Sequence, residues 1–152
     1  MEELVEDLAN GNVTEVKVVL ASVIVVLAIY QVLLMAVGYG KLRLPFLSGK
    51  AASTGHRSVG DMLVFITIFV SFMCIGYFEI ADGIEHADDG ETTRVAIHVG
   101  AALALLAVLA LKILVVRRGR TSGRFLPLLG LTVFCLFVIT WVTSAGDYIW
   151  GY

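Results

Sequence analysis

The chain has 152 residues, 59% hydrophobic and only 16% charged, with a formal net charge of −2. A soluble domain carries about 25% charged residues, and here the apolar residues gather in four long blocks, 18–37, 62–81, 95–116 and 125–145. Each block has the ~20 residues needed to cross a hydrocarbon core of ~30 Å. The composition therefore excludes an ordinary soluble domain, and nothing in it suggests nucleic-acid binding. The expected fold is all-α: an integral membrane four-helix bundle in one domain, 1–152.

The chain opens on Glu2, Glu3, Glu6 and Asp7. A secretory signal opens on a basic segment, so the first span is expected to be retained. Asn10-Gly11-Asn12 reads as a turn and Thr14 as an N-cap. The first span carries Tyr30 and Gln31 and ends at Gly38-Tyr39-Gly40. Leu44-Pro45-Phe46 reads as an interfacial elbow, because proline stops a helix. The stretch from Ser53 to Gly60 reads as a polar lead-in to the second span.

The segment 82–91 is a hydrophilic loop, with Thr92 or Thr93 able to cap the third span. That span is rich in small residues, among them Ala96, Gly100, Ala101, Ala104, Ala107 and Ala110. Small residues let membrane helices approach closely, so this helix is expected at the centre of the bundle, with Ala101, Ala104 and Ala107 turned inward. The fourth span has Pro127 in its first turn, a permitted place. It closes on Trp141, Tyr148, Trp150 and Tyr152, an aromatic belt. Cys74 and Cys135 lie inside spans, where a thiol behaves as a small apolar residue; neither belongs to a CxxC pair.

Basic residues set the expected orientation. The first loop carries Lys41, Arg43, Lys50 and Arg57. The third carries Arg117, Arg118, Arg120 and Arg124, with Lys112 one turn inside the helix and able to snorkel. These nine are most of the 11 Lys+Arg. The positive-inside rule places both loops in the cytoplasm and both termini on the non-cytoplasmic side of the plasma membrane. The acids lie mainly on the opposite face.

Candidate chemistry centres on histidine. Ionisable residues inside spans are costly and are functional suspects by default. His98 lies inside the third span, with Arg94 one turn earlier on the same face. In a haem reading His98 is an axial ligand and Arg94 pairs with a propionate. In a packing reading His98 hydrogen-bonds a neighbouring helix. His56 cannot share an iron with His98, because antiparallel helices put about 22 residues, or roughly 33 Å, between their levels. Met73 is nearer that level, and methionine–histidine ligation is an established haem pattern; the alternative is that Met73 packs. His56, Arg57, Gly60 and Asp61 form a cluster at the cytoplasmic interface, suited to a second prosthetic group, a quinone headgroup or a lipid phosphate, or else to plain helix packing. His86 reads as a surface residue, or as a weak divalent-metal ligand with Asp88 or Asp89.

From His56-Arg57-Ser58-Val59-Gly60 onward the chain resembles an uncharacterised prokaryotic family of four-helix membrane proteins. These are grouped with haem-b membrane cytochromes and ferric-reductase-like proteins. The matching features continue with Arg94-Val95-Ala96-Ile97-His98, the run from Lys112 to Arg117, Leu126-Pro127-Leu128-Leu129-Gly130 and the run from Trp141 to Ala145. They cover roughly the last two-thirds of the chain. The family pattern has a histidine before the cysteine of the second span, where this chain reads Ser71-Phe72-Met73-Cys74. The resemblance implies haem b held by His98, with Met73 either replacing the second ligand or marking loss of the haem.

Two functions are expected from these features. One is a b-type cytochrome-like protein or subunit in transmembrane electron transfer. The other is a haem-free structural or assembly subunit, associating with other membrane subunits or with copies of itself. A transporter is disfavoured by the scarcity of intramembrane charge and the lack of paired broken helices. No soluble flavin or nicotinamide domain or clustered acid–base pair supports an independent enzyme.

Overall fold

The computed structural model describes residues 12–77, 89–117 and 125–150. Its helices are α1 (Val13–Gly38), α2 (Gly49–Tyr77), α3 (Asp89–Arg117) and α4 (Leu126–Trp141); α4 runs through a π-helical turn, Val142–Gly146, into the short α5 (Asp147–Trp150). Among the described residues, four stretches are long and apolar enough to cross a membrane: Val13–Gly38, Gly49–Ile75, Thr93–Arg117 and Leu126–Gly146. The chain therefore reads as a multi-pass membrane protein. In such a setting helix is the only open arrangement that satisfies every backbone group.

Several ends differ from the sequence expectation. α1 begins at Val13 with Asn12 in the N-cap position, so Thr14 lies inside the helix rather than capping it. α2 begins at Gly49, and the polar stretch from Ser53 to Gly60 is helical rather than a lead-in. Ser48 starts it, its hydroxyl accepting the Ala51 N–H at 3.2 Å, as an N-cap serine does. Nothing in Lys50–Asp61 breaks a helix once Pro45 is passed, so polarity alone was a poor guide to its start. Thr93 likewise lies within α3, which begins at Asp89. Residues 78–88, which include His86 and the hydrophilic segment expected as a loop, lie outside the described residues.

The end of α1 follows glycine chemistry. Gly40 has φ +69°, a left-handed conformation that costs glycine little. Around it the Gly40 N–H donates to the Val37 carbonyl and the Lys41 N–H to the Ala36 carbonyl, each at 2.9 Å, the two bonds of a Schellman cap. The elbow then turns through Leu44–Leu47, with Phe46 81% exposed. Leu44 and Leu47 fold back onto Leu34, Val37 and Ala52.

α1 packs most extensively on α2, α3 on α4, and α1 on α4; α2 and α3 come less close than any of these pairs. The central core joins Ile24 and Ala28 of α1, Leu63 of α2, Leu105 and Leu109 of α3, and Val133 and Phe137 of α4. This overturns the expectation for the third helix. Ala104 and Ala107 are exposed, as are Ala96 and Gly100, while Ala101 and Ala102 are half-buried. The physical reason is helical phase: the inward stripe of α3 is set by the larger Leu105 and Leu109, which gain the most dispersion contact from a packed interior. The small residues fall on the other side.

Candidate functional site

Two polar clusters lie on the inward stripe of α3, one around His98 and one around Lys112. The two residues are 14 positions apart, roughly 21 Å along a helix, and share nearly one face. Leu105 and Leu109, both buried, stand between them.

The first cluster forms at the π-helical turn. His98 Nδ1 lies 3.0 Å from the Thr143 hydroxyl oxygen. The Thr143 hydroxyl donates its one hydrogen to backbone, the Ile139 carbonyl at 2.8 Å being the nearer acceptor, so its oxygen can only accept from His98. The carbonyl of Thr140, also an acceptor, bears on the same ring. With the hydroxyl hydrogen on the Ile139 carbonyl, the Thr143 contact puts the proton on Nδ1, which leaves the lone pair of the neutral ring on Nε2. Arg94 donates to the Thr143 carbonyl at 3.1 Å. Thr143 thus holds both α3 residues through one position. π-turns inside α-helices often occur at functional sites.

Lys17 of α1 extends this cluster. It is half-buried and lies within electrostatic reach of Cys74 on α2 and of Arg94 and His98 on α3. Nearby, Trp141 Nε1 donates to the Ser22 hydroxyl at 3.1 Å, tying α4 to α1. Trp141 meets Trp150 edge-on, with centroids 5.5 Å apart and planes at 89°. Gly146 permits this arrangement, because a Cβ there would stand 3.1 Å from the Trp150 ring.

Met73 does not point into this cluster. It is 2% exposed and packed against Val13, with Val16, Leu20 and Phe69 around it. The next residue, Cys74, is the one that reaches Lys17. The sequence expectation brought together His98, Arg94 and Met73; the structure brings together His98, Arg94, Lys17, Thr143 and Cys74.

The second cluster surrounds His56. Gln31 Nε2 donates to the His56 carbonyl at 2.9 Å, and since that carbonyl can only accept, the amide orientation is determined. Gln31 Oε1 and His56 Nδ1 are both sealed from solvent without a hydrogen-bond partner. Gly60 lies against the amide; a Cβ there would be 3.3 Å from Gln31 Nε2. Lys112 bears electrostatically on His56, and its Nζ would lie 3.9 Å from a Cβ at Gly130. Gln31, His56 with Gly60, Lys112 and Gly130 come from α1, α2, α3 and α4 in turn. Arg57 and Asp61, grouped with His56 by sequence proximity, are exposed on α2. His56 and His98 belong to separate ends, as the helix rise required.

Lys17 was the main omission. A first span begun at residue 18 leaves it outside, whereas the helix from Val13 places it inside, where an ionisable residue is a functional suspect. The π-turn left no legible signal. Among the described residues no group of three or more His, Cys, Asp or Glu is placed to hold a metal ion. The divalent-metal expectation for His86 with Asp88 or Asp89 lies outside the described side chains.

No curated protein and no solved structure matches the chain. The family described as "Family of unknown function (DUF6529)" matches residues 4–151, nearly the whole chain, and the protein belongs to that family.

Proposed function

We propose that the protein is a b-type cytochrome-like membrane protein or subunit in transmembrane electron transfer, with a haem b held at the His98 end of the bundle. The observation that supports this reading is the state of His98. A metal-binding histidine characteristically donates its other ring N–H to a neighbouring acceptor, which orients the ring and selects the tautomer. His98 does this through Nδ1 to Thr143, at 3.0 Å, so Nε2 is the nitrogen offered to iron. Lys17 and Arg94 are the cations suited to propionate carboxylates. The α2–α3 seam, less closely packed than its neighbours, is where a flat ring would stand. The donor set fits at His98 and not at Met73, whose thioether is enclosed by α1 side chains. A bound haem supplies one-electron redox chemistry; the residues here would orient it and balance its charge.

In this reading the basic α1–α2 and α3–α4 loops face the cytoplasm and both termini face outward. The His98 cluster then lies in the outer half. The test is an absorption spectrum of protein purified from haem-replete cells, oxidised and then dithionite-reduced. A reduced α-band absent from His98→Ala but retained in Met73→Leu is expected. No band in the wild-type protein sinks the cytochrome reading.

One observation favours the second reading, a haem-free structural or assembly subunit. Ala96, Gly100 and Ala104 recur at four-residue spacing and are all exposed, the pattern of a close-approach helix interface. In that case His98 serves only to hold α3 on α4. Replacing Gly100 by leucine should then release co-purifying subunits, or dissociate self-association, without unfolding the bundle.

A further inference from the structure

The second cluster is not used by the cytochrome reading, and its chemistry is unbalanced. Lys112 and His56 are both half-buried. The charged group that bears on His56 is Lys112, and no carboxylate among the described residues bears on either. A cation within a span is costly unless it is paired or reaches water. Of the two ring nitrogens of His56 only Nδ1 is sealed without a partner, so Nε2 is the one that a ligand would meet. Gly130 keeps the space beside the Lys112 ammonium clear of side chain.

We propose that Lys112 and His56 form a binding site for a phosphate group, that of an acidic glycerophospholipid or of a free phosphate, at the α1–α2 loop end of the bundle. The ammonium and the Nε2–H donate to phosphate oxygens, the charge-assisted contacts that bind such anions best. In the neutral ring with hydrogen on Nε2, Nδ1 and Gln31 Oε1 are lone pairs with no donor, which costs stability. An anion at Nε2 favours the doubly protonated ring. The Gln31 amide donates to the His56 carbonyl at 2.9 Å and so fixes the backbone that carries the ring. Gln31 is thus a positioning residue rather than a contact. The other charges at this end on α2, Lys50, Arg57 and Asp61, are exposed and stand outside the pocket. Basic pockets between spanning helices are suited to anionic headgroups, each Lys or Arg contributing about 1 kcal/mol. The site is independent of the haem.

The full chain is reconstituted in nanodiscs of phosphatidylcholine alone or mixed with phosphatidylglycerol, and retained lipid is counted by native mass spectrometry. Phosphatidylglycerol should be retained over phosphatidylcholine, and Lys112→Gln should lower that retention roughly five- to tenfold, the factor for about 1 kcal/mol or slightly more. The exposed Lys41→Gln should leave it unchanged. His56→Gln supplies a second variant should Lys112→Gln fail to fold, and Lys112→Arg should restore retention. In detergent, inorganic phosphate is titrated calorimetrically. Saturable binding lost in Lys112→Gln assigns the site to soluble phosphate, whereas lipid retention without it assigns the headgroup. Equal retention of both lipids with no phosphate binding, or equal losses in Lys41→Gln and Lys112→Gln, overturns the proposal.

Discussion

The contact between His98 and Thr143 can be measured without reference to any cofactor. Thr143→Val keeps the β-branched shape that a helix holds in one rotamer and removes only the hydroxyl oxygen at 3.0 Å from Nδ1. The backbone carbonyls of Ile139 and Thr140 that the hydroxyl contacted, at 2.8 and 3.3 Å, belong to the helix and lose little. The energy at stake is one neutral hydrogen bond between spanning helices. Such bonds average about 0.6 kcal/mol in double-mutant cycles, with an upper value near 1.7. Because the Thr140 carbonyl also bears on the ring, removal of the Thr143 hydroxyl does not strip the imidazole of every acceptor, which favours the lower part of that range. The assay is a four-member cycle of wild type, Thr143→Val, His98→Ala and the double variant, unfolded reversibly in mixed micelles. A coupling of about 0.5–1 kcal/mol is expected, with Thr143→Ser restoring it. Coupling of zero, or a Thr143→Ser variant as weak as Thr143→Val, would refute the assignment of the Nδ1 proton to this bond.

The central core predicts an asymmetry between two phenylalanines: Phe137, 3% exposed, should cost about 3 kcal/mol or more when changed to alanine, whereas Phe65, 73% exposed, should cost little. Equal costs in the same unfolding assay would show that α4 does not enter the core. Gly146→Ala should loosen the Trp141–Trp150 contact, since its Cβ would lie 3.1 Å from the Trp150 ring, and the near-ultraviolet dichroism of the tryptophans should fall. For orientation, a cysteine introduced at Lys50 or Arg120 in a background lacking Cys74 and Cys135 should resist an impermeant thiol reagent in intact cells. One at Asp88 should react, and the reverse pattern overturns the proposed topology.

The four helices were legible because a membrane span is written as a block of apolar residues, and the block alone determines its length and class. The boundaries were less legible. α2 begins 13 residues before Met62, at Gly49, because polar residues at an interface continue a helix as readily as they leave it. The face of α3 was misread for a related reason: small residues permit close approach without requiring it, and the bulk of Leu105 and Leu109 decided which stripe turned inward. His98 and Arg94 were found by the cost of burying charge in lipid, and the same rule applied from Val13 would have found Lys17. The partner of His98 could not be read, since it depends on a π-turn that shifts the phase of α4 and on lateral contacts that hydropathy does not encode.

The arrangement of the two ends also bears on what the bundle can do. Each end gathers polar groups from several helices, which by itself could suggest a conduit. Between them, however, Ile24, Ala28, Leu63, Leu105, Leu109, Val133 and Phe137 form one buried cluster contributed by all four long helices. Aliphatic side chains packed at interior density leave no room for a chain of waters, and the polar atom closest in kind, the buried Thr67 hydroxyl, is turned back onto the Leu63 carbonyl at 2.7 Å. A solute or proton crossing this layer would have to shed its hydrogen bonds over one to two helical turns, at several kcal/mol for each unmet group. Transport through the middle is therefore opposed by the packing. An electron needs no such path of polar contacts, and neither does a protein that binds one ligand at one end and another at the other. The roles that remain in keeping with this interior are those in which each polar end acts at its own membrane surface.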